Sequence, residues 1–107
     1  MRKFLWATIN VRDMEESLRF YQEVVGLTID RRYQARPGVE ITFLGKGETK
    51  IELIKNDEIK DINIGENISL GFEVDSVDDM MEFVRLRASQ FTVAPPSQIP
   101  TLSFSTS

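Results

Sequence analysis

INVRDMEESLRFY, residues 9–21, and FEVDSVDDMMEFV, residues 72–84, follow one grammar at an offset of 63 positions. In the first copy, WATINV (residues 6–11) alternates. Ala7, Ile9 and Val11 share one side, and Trp6, Thr8 and Asn10 the other. A period of two is that of a half-buried strand. Asp13 precedes Glu16 by three positions, a capping-box spacing in which a side-chain oxygen accepts from orphan backbone N–H groups at a helix start. Met14, Leu18, Tyr21 and Val25 then recur at helical spacing, with Phe20 and Val24 beside the stripe. Gly26 stands where a helix commonly closes in a left-handed residue.

The second copy repeats each step. Ile68, Leu70, Phe72 and Val74 alternate with Ser69, Gly71 and Glu73. Ser76 is the cap and Asp79 its box partner, and Val77, Met80, Met81 and Val84 form the stripe. Val11 thus matches Val74, Asp13 matches Ser76, Glu16 matches Asp79, Leu18 matches Met81 and Phe20 matches Phe83. Strand parity, cap, box and stripe coincide, which favours a duplicated unit over chance.

Three further strands are expected between the copies: residues 27–34, residues 39–45 after the turn signal Pro37-Gly38, and residues 49–55 after the Gly-containing loop GKGE. The unit is therefore strand, helix and three strands. Module one spans residues 3–55, residues 56–67 connect, and module two begins at 68 and runs to 107. Adding the offset places its second strand near Gln90–Ala94 and its third near Leu102–Ser107. The counterpart of residues 49–55 falls past the last residue, so the second module is expected to be truncated. From about residue 88 the character changes. Residues 88–107 carry no charge and hold three of the four prolines. This polar tail is a poor core former, and the abrupt change favours a shifted reading frame or an altered end over a selected tail.

The 107 residues suit a single domain, and 41% of them are hydrophobic, enough for a core. A formal net charge of −4 and a pI near 4.8 argue against nucleic acid, which requires a concentrated basic surface. No apolar run is long enough to span a bilayer. MRKFLWATINV is interrupted by Asn10, Arg12 and Asp13 before a secretory core is complete. A cytoplasmic protein is expected. The absence of Cys excludes disulfides and thiolate metal sites. The absence of His removes the commonest transition-metal ligand and general base. GKGETK lacks phosphate-loop spacing and a following helix.

INVRDMEESLRFYQEVVGL (residues 9–27), TKIELIK (49–55) and ISLGFEVDSVDDMMEFV (68–84) resemble the vicinal oxygen chelate superfamily of glyoxalases, bleomycin-resistance binders, fosfomycin-resistance transferases and extradiol dioxygenases. The resemblance covers about residues 3–87. It implies an α+β fold of paired βαβββ modules whose curled mixed sheets enclose a cup for metal and substrate, often completed across a dimer. The family's metal ligands, early on the first strand and on the last strand of each module, fall on Trp6, Glu52 and Ser69; the fourth falls near the absent last strand. Glyoxalase-like members place His at the positions of Trp6 and Ser69, and this chain departs at both. An indole N–H only donates, and a Ser hydroxyl is a weak ligand. Zinc or nickel sites need about three protein ligands, so no metal cofactor is expected.

Strand parity places the same residues independently. Glu52 points away from Ile51 and Leu53, and Trp6 and Ser69 lie opposite the more apolar side of their strands. The expectation is a metal-independent small-molecule binder with Trp6, Glu52 and Ser69 lining its pocket. Glu52 is the candidate catalytic base should the protein be an enzyme. Two alternatives stay open: a glyoxalase-related lyase or isomerase with a divalent metal, and an inactive truncated member. A homodimer, with strand exchange at the open sheet edge, is the expected assembly; no nucleic acid and no membrane partner is expected. Plainer readings stand beside these. Glu52 is an exposed strand residue or pairs with Lys50 or an arginine. Trp6 packs at a subunit contact. Arg31 and Arg32 are a solvated strand edge rather than an anion site. Met80, Met81 and Phe83 are core.

Overall fold

A computed structural model describes residues 2–47, 49–62, 68–88 and 101–106. The chain divides into two compact units, Met1–Ile62 and Asn63–Ser107. The fold is α+β: the first unit follows the βαβββ plan with a mixed sheet, and the described residues of the second hold a strand, a helix and a further strand parallel to the first.

In the first unit the alternating stretch forms β1 (Trp6–Asn10). Asp13 has the extended backbone of an N-cap, and its Oδ1 accepts from the Glu16 N–H at 3.0 Å. Helix α1 (Met14–Arg19) starts there and continues as a π-helical segment, Phe20–Val25. Met14, Leu18, Tyr21 and Val24 are buried, while Val25 is only half-buried. Gly26 ends the helix at φ +87°, a left-handed conformation that costs a residue with a Cβ about 1–2 kcal/mol.

Three strands follow: β2 (Ile29–Arg36), β3 (Val39–Leu44) and β4 (Lys50–Asn56). β2 starts two residues later than the pattern predicts. The Gly26 turn needs the chain through Thr28, whose carbonyl accepts from the Gly45 N–H at 2.8 Å. The sheet order is β1-β4-β3-β2. β1 runs parallel to β4, and the other neighbours are antiparallel. All eight residues of β2 are exposed, as befits an edge. The β2–β3 register breaks between Ile29 and Arg31 and again between Gln34 and Arg36.

One face of the sheet packs on the helix. Ile9, Leu44, Ile51 and Leu53 lie on it, buried with Met14, Leu18 and Tyr21. Thr42, fully buried there, donates to the Met14 sulfur at 3.4 Å. Each fully buried leucine contributes about 1.5–3 kcal/mol. Arg32 belongs to this side as well. It pairs with Glu40 and Glu15 and so ties β2 to β3 and to α1, and those hydrogen bonds raise its pKa above the usual arginine value.

The second unit holds β5 (Ser69–Glu73), α2 (Val77–Ala88) and β6 (Thr101–Ser105). Ser76 caps α2 as expected, accepting from the Asp79 N–H at 3.2 Å. Leu70 and Phe72 are half-buried, and Ser69, Gly71 and Glu73 exposed, which matches the parity. Two details differ. β6 occupies the residues expected for a third strand, yet it pairs directly and in parallel with β5, as β4 pairs with β1. Along α2, Val77, Met80 and Val84 are half-buried, but Met81 is 56% exposed, where its counterpart Leu18 is 3% exposed. Phe83 is also exposed. No described apolar side chain of this unit is fully buried, because its sheet has only two described strands. The strand expected near Gln90–Ala94 lies outside the described residues. No described helix is long and apolar enough to cross a membrane.

Candidate functional site

The sheet face of the first unit that turns away from α1 carries the candidate residues. Register fixes their rows. Thr8 on β1 stands opposite Glu52 on β4, Glu52 opposite Phe43 on β3, and Phe43 opposite Arg31 on β2. Asn10, Ile54, Ile41 and Tyr33 form the next row. Trp6 stands opposite Lys50 on the other side. Four strands thus present one polar row flanked by aromatic rings.

Glu52 is only 9% exposed, although no hydrophobic pattern demands its burial. The Thr8 hydroxyl donates to its Oε1 at 2.5 Å. The plainer readings of Glu52 do not hold. It is not an exposed strand residue, and Lys50 pairs instead with Asp30 at 2.7 Å. Arg32, two strands away on β2 and on the helix side, is held by Glu40 and Glu15. Among the described residues Glu52 has no cationic partner.

Trp6 meets the Phe43 ring edge-on, with centroids 5.5 Å apart and planes at 81°. Such a contact contributes about 0.5–1.5 kcal/mol beyond area burial. The indole remains 48% exposed and so stays accessible to a partner. Trp6 and Glu52 therefore share this face. Ser69 belongs to the second unit, exposed on β5 on the side opposite Leu70 and Phe72.

Sequence reasoning missed Thr8, Phe43 and the role of Arg31. Thr8 was legible only as a residue on the Trp6 side of β1. Phe43 looked like one more apolar residue of a strand. Arg31 and Arg32 looked alike, but strand alternation sends them to opposite faces, and the bulge at Asp30 just before them fixes which face each takes. Arg32 turns to the helix side, while the Arg31 guanidinium lies 4.7 Å from the Phe43 centroid and 5.7 Å from that of Tyr33.

A family model for the Glyoxalase/Bleomycin resistance protein/Dioxygenase superfamily matches residues 3–101. The chain belongs to that superfamily. The duplicated grammar of the sequence is the signature of its modules. Among solved structures, the trypanothione-dependent glyoxalase I of Leishmania major is 24% identical over 82% of this chain and 68% of its own, with a TM-score of 0.73. The YycE protein of Bacillus subtilis, whose own function is unknown, matches 98% of this chain and 90% of its own at 13% identity and a TM-score of 0.73. TnmS3, an antibiotic-binding protein from Streptomyces sp. CB03234, matches 81% of this chain and 71% of its own at 18% identity and a TM-score of 0.63. At these identities the likeness is one of fold. No match was found among the curated proteins compared.

Proposed function

We propose that the protein is a cytoplasmic, metal-independent binder of a small molecule, with Trp6 and Glu52 in contact with the ligand. The observation that carries this reading is Glu52. A carboxylate 9% exposed, with one hydrogen bond and no cation among the described residues, is costly to fold. Such groups cluster at functional sites. The half-open indole of Trp6 on the same face offers a surface for a flat or cationic body, a contact of about 0.5–2 kcal/mol. Metal independence is supported by the donor set. Trp6 contributes an indole N–H and Thr8 a neutral hydroxyl, and no three His, Cys, Asp or Glu side chains converge among the described residues. Those donors do not fit a divalent transition metal.

We further propose a homodimer. Among the described residues β1 is an outer strand, and the apolar residues leading into it are exposed: Phe4 63% and Leu5 54%. An open strand edge beside exposed apolar side chains invites another chain.

The test is a thermal-shift screen of the full chain against aromatic and cationic compounds, repeated with Trp6→Ala and Glu52→Gln. Stabilisation that both variants lose is the expected result. Elemental analysis after exposure to Ni, Zn, Mn and Fe runs beside it. One equivalent of metal per chain, or hemithioacetal turnover that Glu52→Gln abolishes, overturns the reading in favour of an enzyme.

A further inference from the structure

Two groups of opposite charge stand unpaired on the same sheet face. Among the described residues, Glu52 has no cationic partner and Arg31 no carboxylate. They lie in one row, with Phe43 on the strand between them. Neighbouring strands are about 4.8 Å apart, so the two Cα atoms are separated by about 10 Å. Between them Phe43 is itself buried, 4% exposed, with the Trp6 ring edge-on at 5.5 Å and the Arg31 guanidinium over it and over Tyr33; the aromatic surface left open beside the row is the Trp6 indole.

The two ends differ in kind. Glu52 is fixed, buried and oriented by Thr8. Arg31 is exposed and held by ring faces alone, about 0.5–1 kcal/mol for each such contact. A guanidinium stacked on a ring keeps its N–H edge free, and that edge fits a carboxylate bidentately. The other cations nearby are engaged. Lys50 is paired with Asp30, and Arg32 with Glu40 and Glu15 on the helix side.

We propose that this row is a two-ended site for a zwitterion with a flat apolar body. A primary ammonium or similar donor cation sits at Glu52, the body lies against the exposed indole of Trp6, and a carboxylate takes the outer edge of Arg31. The inference rests on the binding role proposed above and adds the ligand's charge pattern and the residue that reads its anionic end. Neither charge needs its opposite within the protein, because the ligand supplies both. A ligand with one charge leaves the other end as it was, so the two ends together discriminate more than either does.

The test is calorimetric titration of the full chain with 4-(aminomethyl)benzoate, benzylamine and benzoate. The wild-type protein is expected to bind the zwitterion at least about tenfold more tightly than either single-charge probe, about 1.4 kcal/mol of added affinity. Arg31→Met is expected to reduce the zwitterion to the level of benzylamine, and Glu52→Gln to that of benzoate. Arg32→Met is expected to lose stability but keep the wild-type preference; its urea midpoint controls for folding. If benzylamine binds through Trp6 and Glu52 and the zwitterion binds no tighter, the two-ended site is wrong and the binding role stands. If Arg31→Met leaves the preference intact, Arg31 is not the anion reader. If none of the three probes nor any compound of the thermal-shift screen binds, both fall.

Discussion

Thr8→Val isolates the contact that orients the buried carboxylate. Valine keeps the branched shape of threonine and its fitness for a strand, but it removes the hydroxyl that donates to Glu52 at 2.5 Å. Hydrogen bonds to charged groups contribute about 1.5–3 kcal/mol. Thr8 is itself exposed, so water replaces part of the lost bond. The lower end, about 1.5 kcal/mol, is therefore the expected loss. With a urea slope of about 1 kcal/mol per molar, the unfolding midpoint falls by about 1.5 M. Glu52→Leu completes the cycle. It removes the carboxylate together with its desolvation, and it strands no cation, since no described cation pairs with Glu52. Its stability is expected to equal or exceed that of the wild type. In that background Thr8→Val is expected to cost less than about 0.5 kcal/mol, because the two residues act as one unit. Equal costs of Thr8→Val in both backgrounds would refute the reasoning. So would a loss of several kcal/mol in Glu52→Leu, which would make the carboxylate a structural group rather than one kept for a ligand.

Burial pushes the Tyr21 hydroxyl up from 10.0 to about 12. Between those values the folded chain keeps a proton that the unfolded chain releases. The contribution is therefore whole below pH 10, falls by about 1.4 kcal/mol per pH unit above it, and is lost by about pH 12. Urea titrations at pH 9, 10 and 11 should show a shallower decline for Tyr21→Phe than for the wild type; identical declines would contradict the burial of that hydroxyl. Sedimentation of the purified chain at micromolar concentration is expected to give twice the 12.3 kDa monomer mass, and Leu5→Glu to shift it to monomer. A wild-type protein that sediments only as monomer rules out the dimer.

How much of this was legible in the sequence depended on how local the cause is. The helix starts were legible because a cap is a contact over three residues: Asp13 to Glu16 and Ser76 to Asp79. The end at Gly26 was legible because few other residues accept φ +87°. Glu52 could be set on the face opposite Ile51 and Leu53 because side chains alternate along any strand. The stripe of the first helix ends on Val24 rather than Val25, and the π-helical winding from Phe20 to Val25 was not announced by the spacing. In α2 the stripe marked Met81 as core, but a stripe states what a helix can bury and not whether a sheet is there to receive it.

The amino-acid sequence alone determined the duplicated strand–helix grammar, the caps, the turns and the face on which each candidate side chain lies. Those are consequences of periodicity and of contacts between near neighbours. Only the tertiary structure decided which side chains meet. Thr8 reaches Glu52 across 44 residues of chain. Arg31 and Arg32 alternate as any neighbours on a strand do, but the bulge before them and the β2–β3 register decide that Arg31 meets aromatic rings and Arg32 carboxylates. Strand register sets those meetings, and register is an agreement between distant segments that neither segment encodes by itself.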